Sequence, residues 1–164
     1  MRDGVTAYIG IGANLEGPAG RVAQAIHDLD AVPHTRLEAA SRRYIGPPMG
    51  PPDQPDYVNA VARLATGLEP HALLDALQAL ERASGRRRGE GERWGPRPLD
   101  LDILLFGDRT LADDRLTVPH PGVHLRPFVY VPLLEIAPAL VVPGLGPLAA
   151  LVGDLGAHGL TALD

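Results

Sequence analysis

Two aspartates, Asp100 and Asp102, stand two residues apart in an alternating run that extends from Leu99 to Leu105. Side chains alternate between the two faces of a β-strand, so the carboxylates share one face and the odd-numbered apolar residues share the other. Paired carboxylates on a rigid strand suit Mg²⁺, which usually takes one or two carboxylates together with substrate phosphates. A half-buried strand with an acidic outer face is the plainer interpretation of the same spacing.

Several arginines precede this strand, although the formal net charge of the chain is −5. They are Arg82, Arg86, Arg87, Arg88, Arg93 and Arg97. Guanidinium groups beside paired carboxylates favour the joint binding of an anion and a cation, as in a magnesium–nucleotide complex. A solvated loop balanced by Glu90 and Glu92 is the alternative. Together, the arginines and the aspartates favour a phosphate site.

Length and composition predict one globular domain, residues 1–164, with a substantial core. Hydrophobic residues make up 45% of the chain, the mean hydropathy is +0.00, and no apolar run approaches the roughly 20 residues of a membrane-spanning helix. The chain has no cysteine and no signal-peptide pattern at its start, which fits a cytoplasmic location. All 15 basic residues are arginine, which excludes the lysine of a standard P-loop and Schiff-base chemistry.

The hydrophobic pattern predicts the element order β-α-β-β-α-β. Alternation predicts four strands, at residues 5–14, 35–44, 56–65 and 99–106. Helical spacing predicts two helices, from Pro18 to about Leu29 and from Pro70 to a C-cap at Gly85. This order is that of the ferredoxin-like fold, an α+β class in which an antiparallel sheet carries both helices on one face. A C-terminal extension with helices near residues 128–136 and 147–154 follows.

The motifs in chain order closely resemble those of the 6-hydroxymethyl-7,8-dihydropterin pyrophosphokinases of folate biosynthesis. The most specific of them is Arg97-Pro98-Leu99-Asp100-Leu101-Asp102-Ile103-Leu104, and further similarity covers residues 7–15, 47–59 and 133–138. The resemblance spans nearly the whole chain. It implies transfer of pyrophosphate from ATP to the hydroxymethyl group of the pterin, with release of AMP and with two Mg²⁺ ions.

The same resemblance implies a role for each matching position. Asp100 and Asp102 would hold the metal ions, and Arg86 and Arg97 would complete the catalytic set. The nucleotide would contact Glu81, Arg88, Trp94, His120 and Arg126. The pterin would contact Gly46, Pro47, Met49, Tyr57, Asn59 and Phe128. In that set Tyr57 and Phe128 match the family's stacking pair, and Asn59 matches the side chain that pairs with the ring edge.

Two alternative functions fit parts of the pattern. Split βαβ folds also bind RNA, and the arginines with Trp94 and Tyr57 could form a stacking platform. The acidic pair and the net charge oppose this function, because carboxylates repel phosphate without a metal. A nucleotidyltransferase that releases pyrophosphate is the second alternative. We therefore expect ATP and the pterin as ligands, no nucleic-acid or membrane partner, and a monomer.

Overall fold

The computed structural model describes residues 4–14, 17–47, 56–84, 99–153 and 159–164. The first part of the chain forms β1 (Val5–Ala13), α1 (Pro18–Leu29), β2 (Thr35–Ala40), β3 (Tyr44–Gly46), β4 (Tyr57–Thr66), α2 (Pro70–Ala83) and β5 (Asp100–Phe106). The rest forms β6 (Leu111–Ala112), β7 (Thr117–Val118), α3 (Pro127–Ile136), β8 (Val141–Val142), β9 (Gly146–Pro147), α4 (Leu148–Val152) and β10 (Thr161–Ala162).

The main sheet is antiparallel, and its strands lie in the order β10-β3-β4-β1-β5, with β2 also paired to β4. β1 therefore lies between β4 and β5, at the centre of the sheet. This order confirms the predicted ferredoxin-like α+β fold. None of the helices among the described residues has the length and apolar character needed to cross a membrane.

The two faces of the sheet pack against different helices. Odd-numbered residues of β1, such as Ile9 and Ile11, pack with α1 and α2 in one core. The opposite face packs with α3 and α4 in a second core that includes Tyr8, Val61 and Leu104. The first two helices share a face as predicted, and the C-terminal extension covers part of the other face.

The helix boundaries follow local sequence signals. α1 and α2 each place a proline in their first turn, where the missing N–H has no helical acceptor to lose. Both helices bury apolar residues at three- and four-residue spacing. The helix α2 ends at Ala83 with Ser84 as its C-cap, and the expected C-cap Gly85 lies outside the described residues.

The predicted strand over residues 35–44 was wrong as one continuous strand, because Ser41 interrupts it. The backbone N–H of Ser41 donates to Val61 O at 2.8 Å, and its Oγ accepts from Val61 N–H at 2.9 Å. The hydroxyl thus replaces a backbone acceptor, and β2 ends at Ala40 while β3 begins at Tyr44. The pairing with β4 shifts by one residue across this break, which sets the face on which β3 presents Tyr44 and Gly46.

We predict that Ser41→Ala lowers the free energy of unfolding by about 1–3 kcal/mol, because Val61 N–H loses its partner in the protein interior. Equilibrium urea unfolding measures the change. The matched control is Ser84→Ala at the partly exposed C-cap of α2, which should change stability by no more than about 0.5 kcal/mol. Equal effects of the two variants would contradict the role of the Ser41 hydroxyl.

Candidate active site

One open face of the sheet brings together most of the described residues that the sequence singled out. The registers place Asn59 opposite Gly12, Gly12 opposite Asp100, and Gly10 opposite Asp102. Residues opposite each other on adjacent strands share a face. Neighbouring strands lie about 4.8 Å apart, so the backbones of Asn59 and Asp100 are separated by about 10 Å. An amide group and a carboxylate pair therefore stand at two ends of one surface.

The floor between these two ends is formed by glycine. A Cβ on Gly12 would lie 2.7 Å from Asn59 Oδ1 and 3.9 Å from Tyr57 Cδ1, so both side chains lean over this glycine. A Cβ on Gly10 would lie 3.3 Å from Leu104 Cδ2. The absence of Cβ atoms lets the Asn59 amide and the Tyr57 ring cover Gly12, which is buried, and lets Leu104 lie over Gly10, which is partly exposed. The sequence interpretation had assigned Gly10 and Gly12 no role in the site.

The carboxylates of Asp100 and Asp102 point to the same face, as the alternation predicted. Both residues are partly exposed, at the start of β5, and both make polar or electrostatic interactions within the protein. No group of three or more His, Cys, Asp or Glu side chains converges among the residues that the structure describes. Two accessible oxygen donors on a fixed strand are the donor set that suits Mg²⁺ when phosphates supply further ligands.

Glu81 anchors the strand that carries the aspartates. Its side chain is buried, with 4% of the residue exposed, and Oε2 accepts from the backbone N–H of Leu101 at 2.8 Å. Leu101 lies between Asp100 and Asp102, so the last turn of α2 holds the β5 backbone at the carboxylate pair. This contact explains an acid at a helix end where the dipole disfavours it. The nucleotide contact expected of Glu81 stays a prediction.

His120 and Arg126 lie at the β5 side of the same face. The backbone N–H of His120 donates to Leu104 O at 2.8 Å, and its Nδ1 accepts from Gly122 N–H at 2.9 Å. Burial, together with the positive charge of Arg126, lowers the pKa of His120, while Asp100 opposes the shift. The ring is therefore neutral at pH 7, and with Nδ1 as acceptor it carries its proton on Nε2. The guanidinium of Arg126 packs over Gly122.

Phe128 approaches the site face from the first turn of α3. The residue is partly buried and packs against the core that contains Val61 and Leu104. Both of these residues point to the face that carries Asp102, because Val61 and Asp102 both lie opposite Gly10. Phe128 and Tyr57 therefore belong to the same side of the sheet, as a stacking pair requires.

A polar network fixes the side chain of Tyr44 beside Asn59, at the end of the site that carries the amide. Tyr44 lies opposite Asn59 in the sheet, and its hydroxyl donates to Glu135. The backbone N–H of Arg42 donates to Glu135 Oε2 at 2.9 Å, and Nε donates to Oε1 at 3.2 Å. Burial raises the pKa of Tyr44, so it stays a neutral donor, whereas hydrogen bonds from Tyr44 and Arg42 outweigh burial and lower the pKa of Glu135.

This network joins the end of α3 to β3. The sequence did not predict it, because Tyr44 and Glu135 are 91 residues apart and no local pattern pairs them. The segment around Glu135 had been noted for its similarity to the family alone.

The remaining expected site residues divide into two groups. Gly46 lies opposite Tyr57 at the end of β3, and Pro47 follows it. The others lie outside the described residues: Met49, Arg86, Arg88, Trp94 and Arg97. Their roles stay predictions.

The fold and the site define a class: an α+β domain whose sheet face carries a pair of carboxylates beside an amide and aromatic side chains. Residues 8–138 match the family model of 7,8-dihydro-6-hydroxymethylpterin-pyrophosphokinase (HPPK). A protein of Haemophilus influenzae named 2-amino-4-hydroxy-6-hydroxymethyldihydropteridine pyrophosphokinase is 45% identical over 160 residues, 98% of this chain and 99% of that protein. A Pseudomonas aeruginosa protein of the same name is 50% identical over 136 residues, 83% of each chain.

The chain belongs to the 7,8-dihydro-6-hydroxymethylpterin-pyrophosphokinase family. It is therefore an ATP-dependent pyrophosphokinase of folate biosynthesis, as the resemblance implied, and the RNA-binding alternative has no support.

Solved structures show the same fold in longer proteins. A variant of Plasmodium falciparum HPPK-DHPS with pteroate superposes with a TM-score of 0.72 at 10% identity, covering 98% of this chain and 46% of that one. An HPPK-DHPS in complex with substrates superposes with a TM-score of 0.69 at 11% identity, covering 91% of this chain and 43% of that one. This chain spans less than half the length of these two proteins.

Proposed function

We propose that the open face of the sheet catalyses pyrophosphoryl transfer by binding the pterin at the Asn59 end and the ATP triphosphate at the carboxylate end. The observation that supports this most directly is the row of Asn59, Gly12 and Asp100 across three adjacent strands. Its length of about 10 Å accommodates a flat ring followed by a hydroxymethyl group and the phosphate that it attacks.

At the pterin end, Tyr57 and Phe128 supply aromatic faces and Asn59 supplies both a donor and acceptors for the ring edge. Asn59 is a buried residue whose amide lies against Gly12, and its backbone is paired on both sides within the sheet. A side chain held in this way loses little freedom when a ligand binds. Pairing with the amide therefore orients the ring so that the hydroxymethyl group faces the carboxylates.

At the other end, Asp100 and Asp102 would hold two Mg²⁺ ions, which would neutralise phosphate charge and align the reacting groups. His120 and Arg126 lie beside this pair and would contact the nucleotide, the histidine as an Nε2–H donor and the arginine as a cation. Glu81 fixes the backbone of β5 from the opposite side. The carboxylates are thus positioned before the substrates bind.

The reaction forms one bond and breaks another at the β-phosphorus of ATP. The hydroxymethyl oxygen bonds to this phosphorus and releases its proton to solvent, the bond to the oxygen bridging to the α-phosphorus breaks, and AMP leaves with that oxygen. No strong base faces the hydroxyl among the described residues proposed to bind the pterin, Tyr57, Asn59 and Phe128. Positioning and charge stabilisation therefore supply most of the rate enhancement. A monomeric state and a cytoplasmic location are part of this proposal.

Phosphorus NMR of ATP and Mg²⁺ with the protein, with and without 6-hydroxymethyl-7,8-dihydropterin, tests the reaction. We expect AMP and a pterin diphosphate only when both substrates are present, and no turnover after chelation of the metal. Formation of ADP would indicate attack on the γ-phosphorus, and free pyrophosphate would indicate nucleotidyl transfer. Either product would contradict the proposal.

A further inference from the structure

The segment of residues 159–164 lies along the outer edge of the proposed pterin pocket. Thr161 pairs with Ile45 and Ala162 pairs with Tyr44, which adds β10 to the sheet beside β3. Continuing this register by one residue places Leu160 opposite Gly46. Because Gly46 itself lies opposite Tyr57, the side chain of Leu160 points to the same face as Tyr57 and Asn59.

The side chain of Leu160 occupies the space that a side chain at position 46 would need. A Cβ on Gly46 would lie 2.5 Å from Leu160 Cδ2, which is closer than real Cβ contacts allow. Gly159 packs beside it, since a Cβ there would lie 3.6 Å from Pro47 Cδ. Gly159 has φ +77°, a conformation that favours glycine and that turns the chain onto Pro47. Residues 159 and 160 therefore cover both Gly46 and Pro47.

The segment is fastened to β3 by polar contacts. Arg43 donates to Asp164 from its backbone N–H at 3.0 Å, from Nε at 3.2 Å and from Nη2 at 2.6 Å. The backbone N–H of Leu163 donates to Arg43 O at 2.8 Å. Hydrogen bonds from Arg43 lower the pKa of Asp164 to about 2, so the carboxylate is ionised at neutral pH. The pairing of β10 with β3 thus fixes the backbone around Leu160, and the Leu160 side chain packs against the backbone of Gly46.

We propose that Leu160 is a specificity-determining residue that forms the outer wall of the pterin pocket, in place of a side chain at position 46. The inference rests on the proposed function, because it needs the pterin to bind at the Tyr57 and Asn59 end. Leu160 lies on the far side of Tyr57 from the aspartates, so it contacts the ring and not the phosphates. Its removal should therefore affect the pterin and leave ATP unaffected.

Steady-state kinetics of Leu160→Ala tests this role. We expect the KM for 6-hydroxymethyl-7,8-dihydropterin to rise about tenfold, with kcat and the KM for ATP within about twofold of the parent protein. Leu163→Ala is the matched control, because it deletes the same atoms three residues along, where the side chain is exposed and alternation directs it to the opposite face. This control should match the parent protein.

A second pair of variants tests the contact itself. Gly46→Ala alone should raise the pterin KM, because the added methyl group displaces Leu160. In the Gly46→Ala/Leu160→Ala double variant the clash is removed, so the pterin KM should be no higher than in Leu160→Ala. If the increases in pterin KM of the two single variants add up in the double variant, the proposed packing of Leu160 against Gly46 would be overturned. If Leu160→Ala does not fold, Leu160→Val serves the same test with an expected rise of about twofold to threefold.

The outcomes separate this inference from the function on which it rests. An unchanged pterin KM in Leu160→Ala, with an active parent protein, would overturn the role of Leu160 alone. A parallel rise in the KM values for ATP and pterin would show a general structural role and would overturn it as well. A parent protein that forms no pterin diphosphate would instead contradict the proposed function.

Discussion

Replacing Asp102 by asparagine should reduce kcat by about 10³-fold or more while the fold is retained, because a metal ion held by the two carboxylates would contribute several kcal/mol of charge stabilisation. The asparagine keeps the size of the side chain and removes its charge. Asp102 is partly exposed at the start of β5, so the substitution leaves no core cavity. Release of AMP measures turnover, and circular dichroism with thermal unfolding monitors the fold.

Asp108→Asn is the control for Asp102→Asn, because it removes the same charge from an exposed position just beyond the end of the same strand. This variant should turn over at the rate of the parent protein. The apparent affinity for Mg²⁺ should fall in Asp102→Asn and stay constant in Asp108→Asn. If a folded Asp102→Asn protein kept more than about a tenth of the activity, the assignment of the metal to this pair would be wrong.

The features that could be predicted from sequence are those encoded locally. Alternation around Asp100 and Asp102 placed both carboxylates on one face, because the apolar residues between them must be buried and a shift of one residue would expose them. The α1 and α2 boundaries followed from Pro18 and Pro70 for similar reasons. In each case the residues next to the feature in the sequence are enough to predict it.

The features that could not be predicted depend on contacts between distant residues. Ser41 divides the predicted second strand because its hydroxyl accepts a hydrogen bond from the backbone N–H of Val61. The residue type alone does not reveal that partner. Glu81 accepts from the backbone N–H of Leu101, which is 20 residues away, and no local pattern at the end of α2 encodes that contact. Leu160 had no apparent role, because it joins the site through pairing of β10 with β3.

Gly10 and Gly12 show why a local motif can mislead. Their Gly-x-Gly spacing is that of the start of a dinucleotide fingerprint, but the third glycine of that motif is missing. Instead, these glycines act through the neighbouring strands, because the absence of their Cβ atoms makes room for the Asn59 amide and for Leu104. A glycine in a central strand is typical of a close approach by a ligand or another group, and the partner is known only once the register is known.

Gly12→Ala should raise the KM for the pterin by about tenfold or more, while the KM for ATP changes much less. The strand backbone at Gly12 is one that alanine can adopt, since its φ is not in the left-handed region, so the effect must come from the added methyl group. That group would lie 2.7 Å from Asn59 Oδ1, and Asn59, with 7% of its surface exposed, has little space into which to move. Displacing the amide would unpair the ring edge that we propose it binds, which would cost about 1–3 kcal/mol for a buried polar group.

Gly20→Ala is the control for Gly12→Ala, because among the described residues the added Cβ has nothing within 4 Å beyond its chain neighbours and its own helix backbone, and the residue is in α1, where alanine is favoured. It should leave both KM values unchanged. If Gly12→Ala acts through the amide, adding it to Asn59→Ala should change the pterin KM by less than about twofold. A further large increase in the double variant would mean that the methyl group obstructs the ring directly, and that the glycine floor, more than the placement of Asn59, governs pterin binding.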